Sequence, residues 1–95
     1  MARDEEAYFR AKKKINEARR SATTELWLSK AGLTDLPSSV GELSQLRLLQ
    51  LSNNRLTSLP DSIGNLSMLE ELIVEHNQLK IPSVTIMMRH SYPIV

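Results

Sequence analysis

The feature that most limits how this chain can fold is an internal period. Leu26, Leu28, Leu33, Leu36, Pro37, Val40 and Leu43 recur 23 residues later as Leu49, Leu51, Leu56, Leu59, Pro60, Ile63 and Leu66. A third copy begins with Leu69, Leu72, Val74, Asn77 and Leu79, again 23 residues on from Leu46, Leu49, Leu51, Asn54 and Leu56. Units starting near residues 23, 46 and 69 must therefore take up one conformation three times. No unit of this size encloses its own leucines, so neighbouring units have to stack into a shared apolar column.

The spacing inside each unit changes partway along. Leu26-x-Leu28, Leu49-x-Leu51 and Leu72-x-Val74 alternate with period two, which predicts three short parallel strands with one buried face. The second halves, Leu36-Pro37-x-x-Val40-x-x-Leu43 and Leu59-Pro60-x-x-Ile63-x-x-Leu66, have period three to four and predict a short helical or 3₁₀ turn with proline at its first position. Hydrophobic residues make up 41% of the chain and aromatics only 4%, so the core has to be aliphatic. A chain of 95 residues buries roughly 60–65% of its unfolded surface. Its stability margin is thin, and truncating Leu51 or Leu56 should cost about 2–5 kcal/mol, comparable to the whole stability.

The pattern L-x-x-L-x-L-x-x-N-x-L-x-x-L-P fits Leu46 to Pro60 at every defined position. In this the chain resembles the intracellular leucine-rich repeat family over residues 23–82. The resemblance implies an α/β fold, a short leucine-rich-repeat solenoid with three parallel strands on the concave face, and it implies that this face binds protein. It also implies that Asn54 and Asn77, which occupy turn positions, bond exposed backbone of adjacent units as an asparagine ladder. Ala31 stands at that position in the first unit, so the ladder should start in the second.

An open stack exposes leucines at both ends and needs a cap. Residues 1–22 are expected to supply it as an amphipathic capping helix over the first unit, with Tyr8, Ala11, Ile15, Ala18 and Ala22 as its apolar stripe. Asp4, Glu5 and Glu6 near its start and Arg19 and Arg20 near its end complement the helix macrodipole. Residues 1–20 hold seven Lys/Arg against four Asp/Glu, with Lys12, Lys13 and Lys14 as the one dense run. A nucleic-acid or membrane footprint would use these lysines, but interleaved acids and the near-neutral charge of the whole chain favour a solvated surface.

Glu17 to Ser29 is similar to the lead-in of bacterial Roco-type repeat regions. That family's chemistry resides in a GTPase domain, and no G-x-x-x-x-G-K-[ST] loop surrounds Gly32, Gly41 or Gly64, so the activity does not carry over. Residues 83–95 form a divergent tail in which Val84, Ile86 and Met88 share one face. The array reads as a truncated relative of a longer one, or as a chain that completes itself by self-association at an uncapped C-terminal end.

If the repeated leucines point inward, the alternate positions form outward columns: Glu25/Leu48/Glu71, Trp27/Gln50/Ile73 and Ser29/Ser52/Glu75. Trp27, Leu48, Gln50, Glu71, Ile73 and Glu75 are the expected protein-binding residues, with Trp27 first, since aromatic anchors ringed by polar groups mark interface hot spots. The alternative is that Trp27 packs against the N-terminal helix or the tail. Neither a nucleophile elbow nor metal-spaced histidines occur, and His76 reads as a polar turn residue and His90 as part of the tail.

The sequence thus points to a non-catalytic protein–protein interaction module, a scaffold or recognition element in signal transduction, with no catalytic residues, metal, cofactor or small-molecule substrate. The alternative function is the recognition region of a larger signalling enzyme such as a Roco-like GTPase or kinase. Lack of cysteine, of a signal-peptide core and of a long apolar run fits a cytoplasmic protein.

Overall fold

Alanines at positions 7, 11 and 18 together with Ile15 put one narrow apolar stripe on an otherwise charged segment, and that segment forms helix α1, Glu5–Ser21. The computed structural model describes residues 5–79. After α1 come strand β1 (Glu25–Trp27), 3₁₀ helix η1 (Ser38–Glu42), strand β2 (Leu48–Gln50), 3₁₀ helix η2 (Asp61–Asn65) and strand β3 (Glu71–Ile73). The strands form one open parallel sheet in the order β1-β2-β3. Leu26 pairs with Leu49 and Leu49 with Leu72.

Each strand is three residues long, shorter than the alternation implied, yet Leu28, Leu51 and Val74 just beyond the strands are buried as expected. The backbone turns soon after them through left-handed residues at Lys30, Asn53 and His76 (φ 54°, 60° and 60°). These three positions are equivalent in the period. Asparagine and histidine tolerate this region better than lysine does.

Pro37 and Pro60 do not occupy the first position of the 3₁₀ turns, as the sequence reading had it. They lie one residue before, extended at ψ 135° and 148°, and their carbonyls accept the first i→i+3 bonds, from Val40 and Ile63. The two turns pack very closely. A Cβ built on Gly41 would lie 2.5 Å from Ser62 Cβ and 2.6 Å from the Ser62 carbonyl oxygen, while the Ser62 hydroxyl donates to the Ser38 carbonyl at 2.7 Å.

Leu33, Val40, Leu43, Leu46, Leu49, Leu51, Leu56, Ile63, Leu66 and Leu72 have no exposed surface. They join the apolar stripe of α1 in one core. Each fully buried leucine contributes roughly 1.5–3 kcal/mol.

The stripe of α1 differs from expectation at both ends. Ala7, not Tyr8, is buried; Tyr8 is half-buried and meets Phe9 edge-on, with centroids 6.0 Å apart. A methyl lets the helix approach the first unit more closely than a phenol ring would. Ala22 is exposed and lies beyond the helix, left-handed at φ 52°. The amides of Ala22 and Thr23 donate to the carbonyls of Arg19 and Ala18, closing the C-terminus in a Schellman arrangement. An Arg19–Glu42 ion pair joins α1 to η1.

The expectations for Asp4, the tail from 83 to 95 and His90 fall outside the described residues. No helix among the described residues is long and apolar enough to cross a membrane.

Candidate protein-binding face

The strand register brings the alternate residues into rows. Glu25, Leu48 and Glu71 lie side by side, and so do Trp27, Gln50 and Ile73. All six side chains lie on the opposite face from buried Leu26, Leu49 and Leu72: Glu25 and Trp27 are exposed, the other four half-buried. Leu48 is flanked by two carboxylates, and Gln50 by an aromatic and an aliphatic group.

Trp27 is 53% exposed. Its indole N–H donates to Glu25 Oε1 at 3.2 Å, and its carbonyl accepts from Lys14 Nζ at 3.4 Å. Trp27 also lines a shallow cleft of about 330 Å³ with Leu26, Thr23 and the Lys14, Glu17, Ala18 and Ser21 side of α1. The two readings of this residue therefore meet in one place: one edge borders the helix and half the surface faces outward.

The third column is not the open row expected. Ser52 is 8% exposed, Ser29 is half-buried, and only Glu75 stands free in solvent. Here the chain is already leaving the sheet, and the Ser52 carbonyl accepts from the Lys30 amide at 3.1 Å and from Asn54 Nδ2 at 3.3 Å. Gln50 is partly committed as well, because its Oε1 accepts the Ser52 amide at 2.8 Å.

Asn54 fixes the turn below the face. Its Oδ1 accepts the amides of Ala31 and Leu33, both at 3.0 Å, and its Nδ2 donates to the carbonyls of Leu28 and Leu51 at 3.0 and 2.9 Å. Asn77 repeats this one unit on, accepting from Leu56 at 3.0 Å and donating to Leu51 and Val74 at 2.9 and 3.0 Å. Asn54 is only 8% exposed. The ladder begins at Asn54, and the first unit's Ala31 is served by it.

Among the described residues, ion pairs join Arg10 to Glu6, Arg19 to Glu42 and Arg47 to Glu70, and none involves Glu25, Glu71 or Glu75. Sequence reasoning left Glu25 out of the binding set. Its spacing of two from Trp27 on a strand, which puts both on one face, was the available signal. No group of three or more His, Asp or Glu able to hold a metal occurs among the described residues.

A family model for leucine rich repeat matches residues 21–79, a span that takes in all three strands and both 3₁₀ helices. No curated protein matches the chain.

Proposed function

We propose, from the premise that the chain belongs to the leucine-rich repeat family, that it is a non-catalytic interaction module whose concave strand face recognises another protein. In this reading the stacked 23-residue units form a short solenoid, and the face is made by Trp27, Leu48, Gln50, Glu71, Ile73 and Glu75. The observation that carries it is Trp27, half exposed on a sheet whose other side is fully buried. A large apolar group held in solvent by a rigid sheet is what an interface anchor requires.

The test is selection of binding peptides from a random display library, followed by titration against variants. Trp27→Ala should lose the binders while melting within about 0.5 kcal/mol of the parent, as ordinary surface changes do, and Leu48→Ser/Ile73→Ser, at half-buried positions, should lose them while still unfolding cooperatively. Binding that responds to Asn65→Lys on the η2 side instead, or a Trp27→Ala variant destabilised by several kcal/mol, would contradict the assignment.

The lead-in at Glu17–Ser29 supports a narrower version, in which the face serves a larger signalling enzyme of the Roco GTPase or kinase kind. Sequence of the gene on either side distinguishes it. Absence of cysteine supports a cytoplasmic setting, read by fractionating cells that express the tagged chain. Among the described residues β3 has no strand on its outer edge, which supports self-association there; a melting temperature that rises with concentration would bear this out.

A further inference from the structure

The six strand positions of the face, with Glu75 just beyond them, carry one-sided charge. Glu25, Glu71 and Glu75 are acidic, the other four are neutral, and none is basic, although the whole chain carries a net charge of +1 and Lys14 Nζ meets the Trp27 carbonyl from the α1 side. Neighbouring strands lie about 4.8 Å apart, so the Glu25 and Glu71 positions flank Leu48 at a separation of about 10 Å, with Trp27 and Ile73 flanking Gln50 one row along. Apolar and acidic positions therefore interleave across the sheet.

Trp27 itself is prepared for a cation. Its N–H is engaged by the Glu25 carboxylate, which leaves the ring faces as the interacting surface. A hydrogen bond from an anion enriches the π system, and an indole face attracts guanidinium and ammonium groups. Glu71 and Glu75, unpaired among the described residues, supply further countercharge.

We propose that the partner is a protein segment in which arginine or lysine is interleaved with apolar residues. One cation stacks on Trp27 beside Glu25, others meet Glu71 and Glu75, and the apolar side chains seat on Leu48 and Ile73. Arginine suits the Trp27 position better than lysine, because its planar guanidinium stacks and bonds a carboxylate at the same time. This rests on the strand face being the binding surface.

Three synthetic ten-residue peptides test it, each alternating leucine with arginine, serine or glutamate. Trp27 is the chain's single tryptophan, so its emission reports occupancy of the face directly. The arginine peptide should perturb that emission and bind at least tenfold tighter than the serine peptide, with the glutamate peptide weakest and the advantage shrinking as salt rises. A Glu25→Gln/Glu71→Gln/Glu75→Gln variant with an unchanged melting temperature should lose most of that advantage.

The inference is overturned by an arginine peptide that leaves Trp27 unperturbed, by equal binding of the serine or glutamate peptide, or by an advantage that survives the triple substitution. It is also overturned if Trp27 emission changes on dilution without peptide and Lys12→Gln/Lys13→Gln/Lys14→Gln removes that change, because the occupant is then the helix of a second copy. If the serine or glutamate peptide binds at Trp27 and is lost with Leu48→Ser/Ile73→Ser, the binding face stands and only the preference for cations falls. If peptides bind without sensing Trp27 or those substitutions, both fall together.

Discussion

The seam between the first and second repeat units and the seam between α1 and the first unit bury leucines of the same core by different means. At the first, backbone meets backbone: Leu28 and Lys30 donate to the carbonyls of Gln50 and Ser52, Arg47 and Leu48 donate to that of Thr24, and Asn54 reaches across to three groups of the preceding unit. Gly41 yields space for Ser62, whose hydroxyl finds the Ser38 carbonyl. At the second seam side chains carry the contact, through three alanines, Ile15 and the Arg19–Glu42 pair.

The serine equivalent to Ser62 is Ser39, and its buried hydroxyl has no partner. A repeat supplies its neighbour with matching donors and acceptors because both have the same backbone. A helix has already used its backbone groups internally and offers only surface.

This contrast sets an order of effects. Leu49→Ala or Leu51→Ala, at fully buried positions of the middle unit, should cost about 2–5 kcal/mol and abolish cooperative thermal unfolding. Ile15→Ala at the helix seam, by contrast, should lower the melting temperature and leave the sheet's circular dichroism intact. If Ile15→Ala also erases the sheet signal, the two seams are energetically one.

Asn54→Ala removes the partner of buried amides and carbonyls and should cost roughly 2–4 kcal/mol in urea unfolding. Asn77→Ala should cost less, being half-buried; equal losses would mean that burial does not grade the ladder. Gly41→Ala forces a methyl against the Ser62 backbone and should cost about 1–3 kcal/mol. Ala22→Gly should raise stability by about 1 kcal/mol, relieving the left-handed alanine that ends α1. Ser39→Ala should change it by less than about 0.5 kcal/mol or raise it, since the hydroxyl bonds nothing.

The repeat seam was largely legible in the sequence and the helix seam only in outline. A side chain that recurs in register on an alternating background has one way to face inward, so Leu26, Leu49 and Leu72 were placed correctly, and so were the rows holding Trp27 and Leu48. Asparagine at the turn was informative because its amide both donates and accepts. Spacings of three and four both fit a helix face, so the stripe from Tyr8 through Ala11, Ile15 and Ala18 and the stripe that begins at Ala7 differ by one residue at the start; the structure buries Ala7.

The face was legible as geometry but not in its internal commitments. Gln50 turns its side chain back onto the Ser52 amide, and Ser52 is already inside the turn, both consequences of where the backbone leaves the sheet. The meaning of Gly41 depends on a contact with Ser62 in the next unit, which spacing alone does not display.

Amide hydrogen exchange measured residue by residue on the native protein tests the stacking most directly. Donors bonded across seams recur in pairs 23 residues apart: Leu28 with Leu51, Lys30 with Asn53, Arg47 with Glu70, and Arg55 with Gln78. Slow exchange at both members of these pairs, joined by the asparagine-bonded amides of Leu33 and Leu56, is the expected result. Uniform protection running continuously through residues 25–55, or free exchange at Leu33 and Leu56, would contradict the stacked-unit account and with it the open face on which recognition depends.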